Sequence, residues 1–188
     1  MYSPSVILRH PVSFTSVNIK MGIEMYRLTR SLKPSIVLET GVHHGMSSAF
    51  TLRAMHDNHH GALYSIDLPN ATEQLKEGWS TGDLIPGFLR NRWHLILGDS
   101  RERLPALLQR LKQVDIFFHD SLHTYNHMMF EYRTAWPYVR KGLFSDDLWP
   151  HWVECRQAFV DFSKEIGVDP EFRLNGRLGI LMKTKEAN

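Results

Sequence analysis

A chain of 188 residues matches one domain on the usual scale of roughly 100 to 200 residues, and 43% hydrophobic with 22% charged residues excludes the disordered and fibrous classes. Lys plus Arg number 22 against 20 Asp plus Glu, and without a run of about five or six like charges this balance points to no nucleic-acid partner. The single cysteine, Cys155, excludes an internal disulfide and a cysteine-built zinc cage and favours a reducing, cytoplasmic setting, while the apolar runs fall short of the ~18 residues of a membrane span and the first residues do not read as a signal peptide.

Along the chain, strand-length apolar runs alternate with segments of helical period, the pattern of βαβ units around a parallel sheet. After an irregular lead-in to Val17, a helix is expected over 18–32, with Ile19, Ile23 and Tyr26 on one face and Pro34 helping to end it. Strands over 35–41 and 62–67 flank a helix over 46–58. The segment 68–88, which includes Trp79, is rich in Gly, Pro, Thr and Asn. It is long for a structureless connection and reads as a functional loop or lid. Strands over 93–99 and 114–120 enclose the helix "RERLPALLQRLK", and a long helix follows over about 125–139. A short strand over 143–147, a helix over 152–167 and two strand-like runs joined by Asn175-Gly176 complete the chain. These elements predict one domain over 1–188, with a core over 35–183 behind a lead-in and helix over 1–34. Its fold class is α/β: a Rossmann-like, doubly wound, mostly parallel sheet with a C-terminal antiparallel hairpin.

The chemistry begins at "ETGVHHGMSS". Gly41 ends a buried strand and Gly45 opens a helix whose free N–H groups, Ser47 among the first turn, suit a polar or anionic group. A nicotinamide dinucleotide fingerprint would need glycines where His43 and Met46 stand, so that motif fails. A tight strand-to-helix turn would use the same two glycines. Asp67 closes the second strand and can accept both hydrogen bonds of a ribose diol; capping the turn before Pro69 is its other role. Asp99 and Ser100 follow the third strand, where either could instead cap a helix.

In "FFHDSLHTY" Asp120 ends the fourth strand and His123 follows three residues on, while "SDD" puts Asp146 and Asp147 at the end of the fifth. A parallel sheet would gather these carboxylates at its carboxyl edge, where ligands of open α/β sheets bind. Three oxygen donors suit magnesium or another hard cation better than zinc. Either Asp146 or Asp147 could also cap the next helix. His119 could face the pocket or a helix, His43 and His44 could line it, and Tyr125 and Trp149 lie close enough in sequence to form its walls.

Together "ETGVHHG", Asp67, "GDS", "HDSLHTY" and "SDD" resemble the class I S-adenosylmethionine-dependent methyltransferases, in the small group related to sugar and catechol O-methyltransferases, over about 36–183. The resemblance implies that Glu39, Gly41, His43, Gly45, Ser47, Asp67, Asp99, Ser100 and Asp120 surround S-adenosyl-L-methionine, and that Asp120, Asp146 and Asp147 hold Mg²⁺. It further implies His123 as general base, a role that an ordinary imidazole pKa of ~6.5 suits, and a hydroxyl of a small molecule or saccharide as methyl acceptor, with no nucleic acid or membrane partner. His43 replaces a glycine common in the group, and "VRKGLFSDDLW" lacks its Pro-Gly-Gly turn, which predicts a fifth strand that is shortened or shifted. A nicotinamide oxidoreductase and a non-catalytic cofactor-binding module are the alternative readings. An open sheet edge leaves self-pairing into a homodimer available.

Overall fold

The computed structural model describes residues 16–69 and 80–183. The lead-in before Ser16 and the part of the long connection that contains Trp79 lie outside the described residues. Helix α1 (Ser16–Leu32) buries Met21, Met25 and Leu28, an i, i+4, i+7 stripe. The stripe expected from Ile19, Ile23 and Tyr26 is not the buried one, and Ile23 is 37% exposed. Packing decides the difference: a Cβ on Gly22 would lie 2.4 Å from the Phe50 ring, so the glycine face presses directly on the neighbouring helix. Tyr26 instead donates its hydroxyl to Asp57 at 2.9 Å.

The core alternates β1 (Ile36–Thr40), α2 (Met46–Asp57), β2 (Ala62–Asp67), β3 (Trp93–Leu97), α3 (Ser100–Leu111), β4 (Val114–His119), α4 (Tyr125–Ala135), β5 (Val139–Ser145) and α5 (Val153–Ile166). Two final strands, β6 (Glu171–Arg173) and β7 (Leu178–Met182), close the sheet. Its order is β3-β2-β1-β4-β5-β7-β6. The first five strands run parallel, β7 runs antiparallel to β5, and β6 antiparallel to β7. Because the chain leaves β1 toward β2 and β3 and later returns to β4 on the other side, the switch point of the sheet falls between β1 and β4. The expected α/β class, parallel core and terminal hairpin are all present.

The pleat sends successive residues to opposite faces. Val37, Ile116, Phe118, Phe144 and Ile180 pack with α1 and α2, whereas Leu38, Phe117, Leu143 and Leu181 pack with Tyr132, Phe159 and Phe162 from α4 and α5. Burying each large apolar side chain of this kind stabilises the fold by roughly 2 kcal/mol.

Strand β5 is not shortened. It starts at Val139 and runs for seven residues, with a register shift against β4 between Val114 and Ile116. Its first half escapes a hydrophobicity pattern because it carries Arg140 and Lys141, and the Lys141 ammonium bonds the Leu32 carbonyl at 2.7 Å. Gly142 gives β7 its place, since a Cβ there would come within 2.9 Å of Met182 Sδ and 3.0 Å of the Leu181 carbonyl. The described second half of the long connection is docked rather than raised as a lid. The Gly82 and Leu84 N–H groups donate to the His43 and His44 carbonyls at 2.9 and 3.0 Å, and Ile85 is fully buried.

Candidate functional site

A cavity of about 900 Å³ opens along the carboxyl edge of the sheet. Its wall is the β1–α2 turn from Gly41 to Ser47, the end of β2 at Asp67, the β3–α3 turn from Gly98 to Arg101, and the end of β4 from Asp120 to Leu122. Asp146, Asp147 and Arg177 close the far side. The fold therefore brings Gly41, His43, Gly45, Ser47, Asp67, Asp99, Ser100, Asp120, Asp146 and Asp147 to one cavity. Two candidates stand apart from its lining, Glu39 beneath it and His123 behind it.

The turn after β1 depends on left-handed backbone. Gly41 has φ +85°, and a Cβ on it would lie 1.9 Å from the Asp120 carbonyl oxygen, so only glycine lets the ends of β1 and β4 meet. His43 adopts φ +51°, a conformation that costs a residue with a Cβ roughly 1–2 kcal/mol. Part of that cost is offset by its N–H, which donates to Asp67 Oδ2 at 3.0 Å. The same bond orients the Asp67 carboxylate, whose Oδ1 accepts from Leu68 N–H at 2.9 Å, at the cavity wall. Burial lowers the His43 imidazole pKa, against a smaller opposing pull from Asp67. Asp99 both lines the cavity and caps α3, accepting the Arg101 N–H at 2.8 Å.

Beneath the cavity two buried carboxylates tie the elements together. Glu39, 1% exposed, takes hydroxyl bonds on one oxygen from Ser48 at 2.5 Å and Ser65 at 2.6 Å. Burial raises its carboxyl pKa to about 7 despite these two donors. Thr40, the next residue, faces the other side and donates to Glu131 at 2.6 Å. Glu131 also meets His119 Nδ1 at 2.7 Å, His127 Nε2 at 2.9 Å and the Ser121 hydroxyl at 3.0 Å. Burial works to raise this acid, but attraction to His119 and the hydrogen bonds outweigh it and hold the carboxyl well below its ordinary value. His119 is thus turned toward α4, and His127 passes the network on to Ser100, 3.1 Å from its Nε2. Sequence reasoning missed Thr40, Glu131 and His127. Their only signal was three polar groups at strand ends and on an otherwise apolar helix face.

The acidic end is organised by a residue the sequence did not flag. Arg177 donates through Nε and Nη2 to the two oxygens of Asp146, both at 2.6 Å, and Asp146 Oδ1 also accepts the Asp147 N–H at 2.6 Å. Burial pushes the Asp146 carboxyl up to about 6 against the pull of Arg177. Arg177 stands just after Asn175-Gly176, in a hairpin whose β7 aligns Gly179 with Ser145; the turn signal was the clue to its place. Asp147, at φ +57°, lies 3.4 Å from Arg177 Nε and accepts the Trp149 indole N–H at 3.3 Å. Asp120, His123 and Asp147 each offer one ligand atom such that all three atoms lie within 4.8 Å of one another. Burial, then repulsion from Asp146 and Asp147, holds the Asp120 carboxyl well above its ordinary value. His123 is wedged between the rings of His119 and Trp152, at 5.2 and 6.1 Å. Burial and the adjacent His119 push its imidazole down to about 4, well below the near-neutral value on which the base assignment relied.

The model of a family described as a methyltransferase domain matches residues 38–147. No curated protein matches the chain. Among solved structures, the TDP-rhamnose 3'-O-methyltransferase CalS11 of calicheamicin biosynthesis, in its apo form, superposes with a TM-score of 0.68 at 20% identity, over 97% of this chain and 89% of that one. An SAH-bound methyltransferase of Podospora anserina gives 0.64 at 18% identity, over 96% and 85%. The O-methyltransferase NovP gives 0.62 at 15% identity, over 90% and 80%. At these identities the likeness is one of fold.

Proposed function

This chain belongs to the methyltransferase-domain family, and from that premise we propose that it binds S-adenosylmethionine in the carboxyl-edge cavity and methylates a hydroxyl of a small molecule or saccharide. The observation that carries the reading is the convergence of a glycine-lined helix start, the oriented Asp67 carboxylate and an acidic far wall in one cavity of about 900 Å³. That volume is within the range of small-molecule sites, roughly 300–1,000 Å³. The sugar and small-molecule O-methyltransferases among the structural neighbours support the acceptor class.

The donor set fits the cofactor. Asp67 would accept hydrogen bonds from the ribose diol, the turn from Gly41 to Gly45 would let backbone approach closely, and Asp99 with Ser100 would border the base, while Met21 and Ile66 supply apolar wall. When bound, S-adenosylmethionine supplies an electrophilic sulfonium methyl. Its methyl would pass to the acceptor oxygen with the S–C electron pair left on sulfur, and the part of this chain's cavity residues would be to hold donor and acceptor against each other. The hydroxyl proton would leave across the acidic wall that Asp120, Asp146 and Asp147 form.

A divalent cation also fits the acidic wall, because Asp120 and Asp147 reach the cavity and three carboxylates there face the single guanidinium of Arg177 among the described residues. Such an ion would lower the pKa of an acceptor hydroxyl, as metals do for bound water. Calorimetry with S-adenosylmethionine and with NAD tests the first step, followed by a screen of hydroxylated acceptors for release of S-adenosylhomocysteine, with and without a chelator. Binding of NAD but not of S-adenosylmethionine would overturn the reading.

A further inference from the structure

We propose that the third donor of the cation site is the imidazole of His123, with Asp146 excluded, so that the site is a mixed nitrogen and oxygen one built from Asp120, His123 and Asp147. The inference rests on the reading of the acidic wall as a cation site. Asp146 is already committed. Both of its oxygens are held by Arg177 at 2.6 Å in a bidentate pair, one also takes the Asp147 N–H, and the residue is 1% exposed. Charge-assisted bidentate pairs of this kind are strong and directional, and a cation bridging Asp146 would have to break one beside a like charge.

His123 presents the opposite situation. Its Nε2 is shut off from solvent and has no hydrogen-bond partner, although buried polar atoms are nearly always paired. That atom lies 4.0 Å from Asp120 Oδ1, and the ligand atoms of Asp120, His123 and Asp147 are all within 4.8 Å of one another. Ligands held about 2 Å from one ion are separated by no more than about 4 Å, so the three need only a small closure. The ring is already oriented, fixed between His119 and Trp152.

The donor chemistry sets the choice of metal. A nitrogen ligand in place of a third carboxylate shifts preference away from Mg²⁺ and Ca²⁺ toward Mn²⁺, Co²⁺, Ni²⁺ or Zn²⁺. Two carboxylates and a neutral imidazole balance a divalent ion without help from Asp146.

The test uses the untagged protein and the metals alone. Calorimetry should find Mn²⁺ bound more tightly than Mg²⁺, and pulsed electron paramagnetic resonance of the Mn²⁺ form should show coupling to a coordinated imidazole nitrogen. In His123→Ala that coupling should vanish and Mn²⁺ affinity should fall by at least about tenfold, since even loss of an outer partner of a ligand costs roughly 10–100-fold. In Asp146→Asn the nitrogen coupling should persist. His123→Gln guards against misfolding of the alanine variant and should lose the coupling equally. Absence of nitrogen coupling in the unmodified protein, coupling that survives in both His123 variants, or failure to bind any divalent ion overturns the inference. None of these outcomes touches the methyltransferase reading, which stands or falls on S-adenosylmethionine binding.

Discussion

Glu39 and Glu131 are two fully buried carboxylates under the same cavity, one on each face of the sheet, and they are driven in opposite directions. Glu39 meets only two hydroxyls, so the loss of solvent wins and its carboxyl is raised to about 7. Glu131 meets two imidazoles as well as the hydroxyls of Thr40 and Ser121, and its carboxyl is held low. The lesson is that burial depth does not fix the charge of an acid; the partners do. The two faces consequently do different work. The α2 side carries an acid that can hold a proton near neutrality, while the α4 side carries a fixed charge that joins the ends of β1 and β4 to the start of α3.

The strongest way to break this comparison is Glu131→Ala. It would leave His119, His127 and Thr40 without their shared acceptor and should cost about 3–5 kcal/mol in denaturant unfolding, the usual range for stranding one side of a buried ionic network. A cost equal to that of Glu39→Ala would mean that the two acids are equivalent after all.

The pH dependence is the next largest effect. In the fold Glu39 keeps its proton up to about pH 7, against an ordinary value of 4.5, so the folded chain holds a proton that the unfolded chain has lost. The stability it contributes is fully present below about pH 4.5 and is lost as pH rises to about 7. Glu131 has the reverse sign, with its contribution present above its ordinary value of 4.5 and lost as pH falls below it. Glu39→Gln should therefore remove a downward slope of stability between about pH 4.5 and 7, worth roughly 3 kcal/mol at most. Unfolding curves across that window, with identical slopes for the two proteins, would refute the assignment.

A finer comparison comes from single hydroxyls. Ser65→Ala removes one of two donors to Glu39 and also the acceptor of the Trp93 indole N–H at 2.8 Å, whereas Ser121→Ala leaves Glu131 with three partners. The first should cost about 1–2 kcal/mol and the second about 0.5 kcal/mol, and a reversal of that order would mean that the α2-side hydroxyls are not what sustains Glu39. Asp67→Ala, at the cavity wall, takes the acceptor from the His43 and Leu68 N–H groups and should cost about 0.5–1 kcal/mol in unfolding. Its calorimetric affinity for S-adenosylmethionine should nonetheless fall at least about tenfold, because a diol partner is removed. An unchanged affinity would separate Asp67 from the cofactor.

Much of this protein was legible in the order of its residues. Apolar runs of strand length, helical periods between them and Asn175-Gly176 predict the α/β layers and the terminal hairpin, since those patterns follow from local backbone geometry. The polar residues at strand ends also follow, because parallel strands necessarily deliver Asp67, Asp99, Asp120 and the Asp146-Asp147 pair to one edge. Local pattern failed where a strand carried charge, as at Arg140 and Lys141 in β5, and where a close helix-to-helix approach chose the buried face, as at Gly22 in α1.

What only the tertiary structure decided is which charges meet. Arg177 lies 31 residues from Asp146 and Glu131 lies 91 from Thr40, and nothing in a local window carries those pairings. Pleat alternation puts Glu39 and Thr40 on opposite faces, but the protonation of each acid depends on the donors that packing brings and on the water it removes. The sequence thus determined the fold and the edge at which the chemistry gathers. The three-dimensional packing determined the ionisation of that edge, because desolvation and charge pairing act through space.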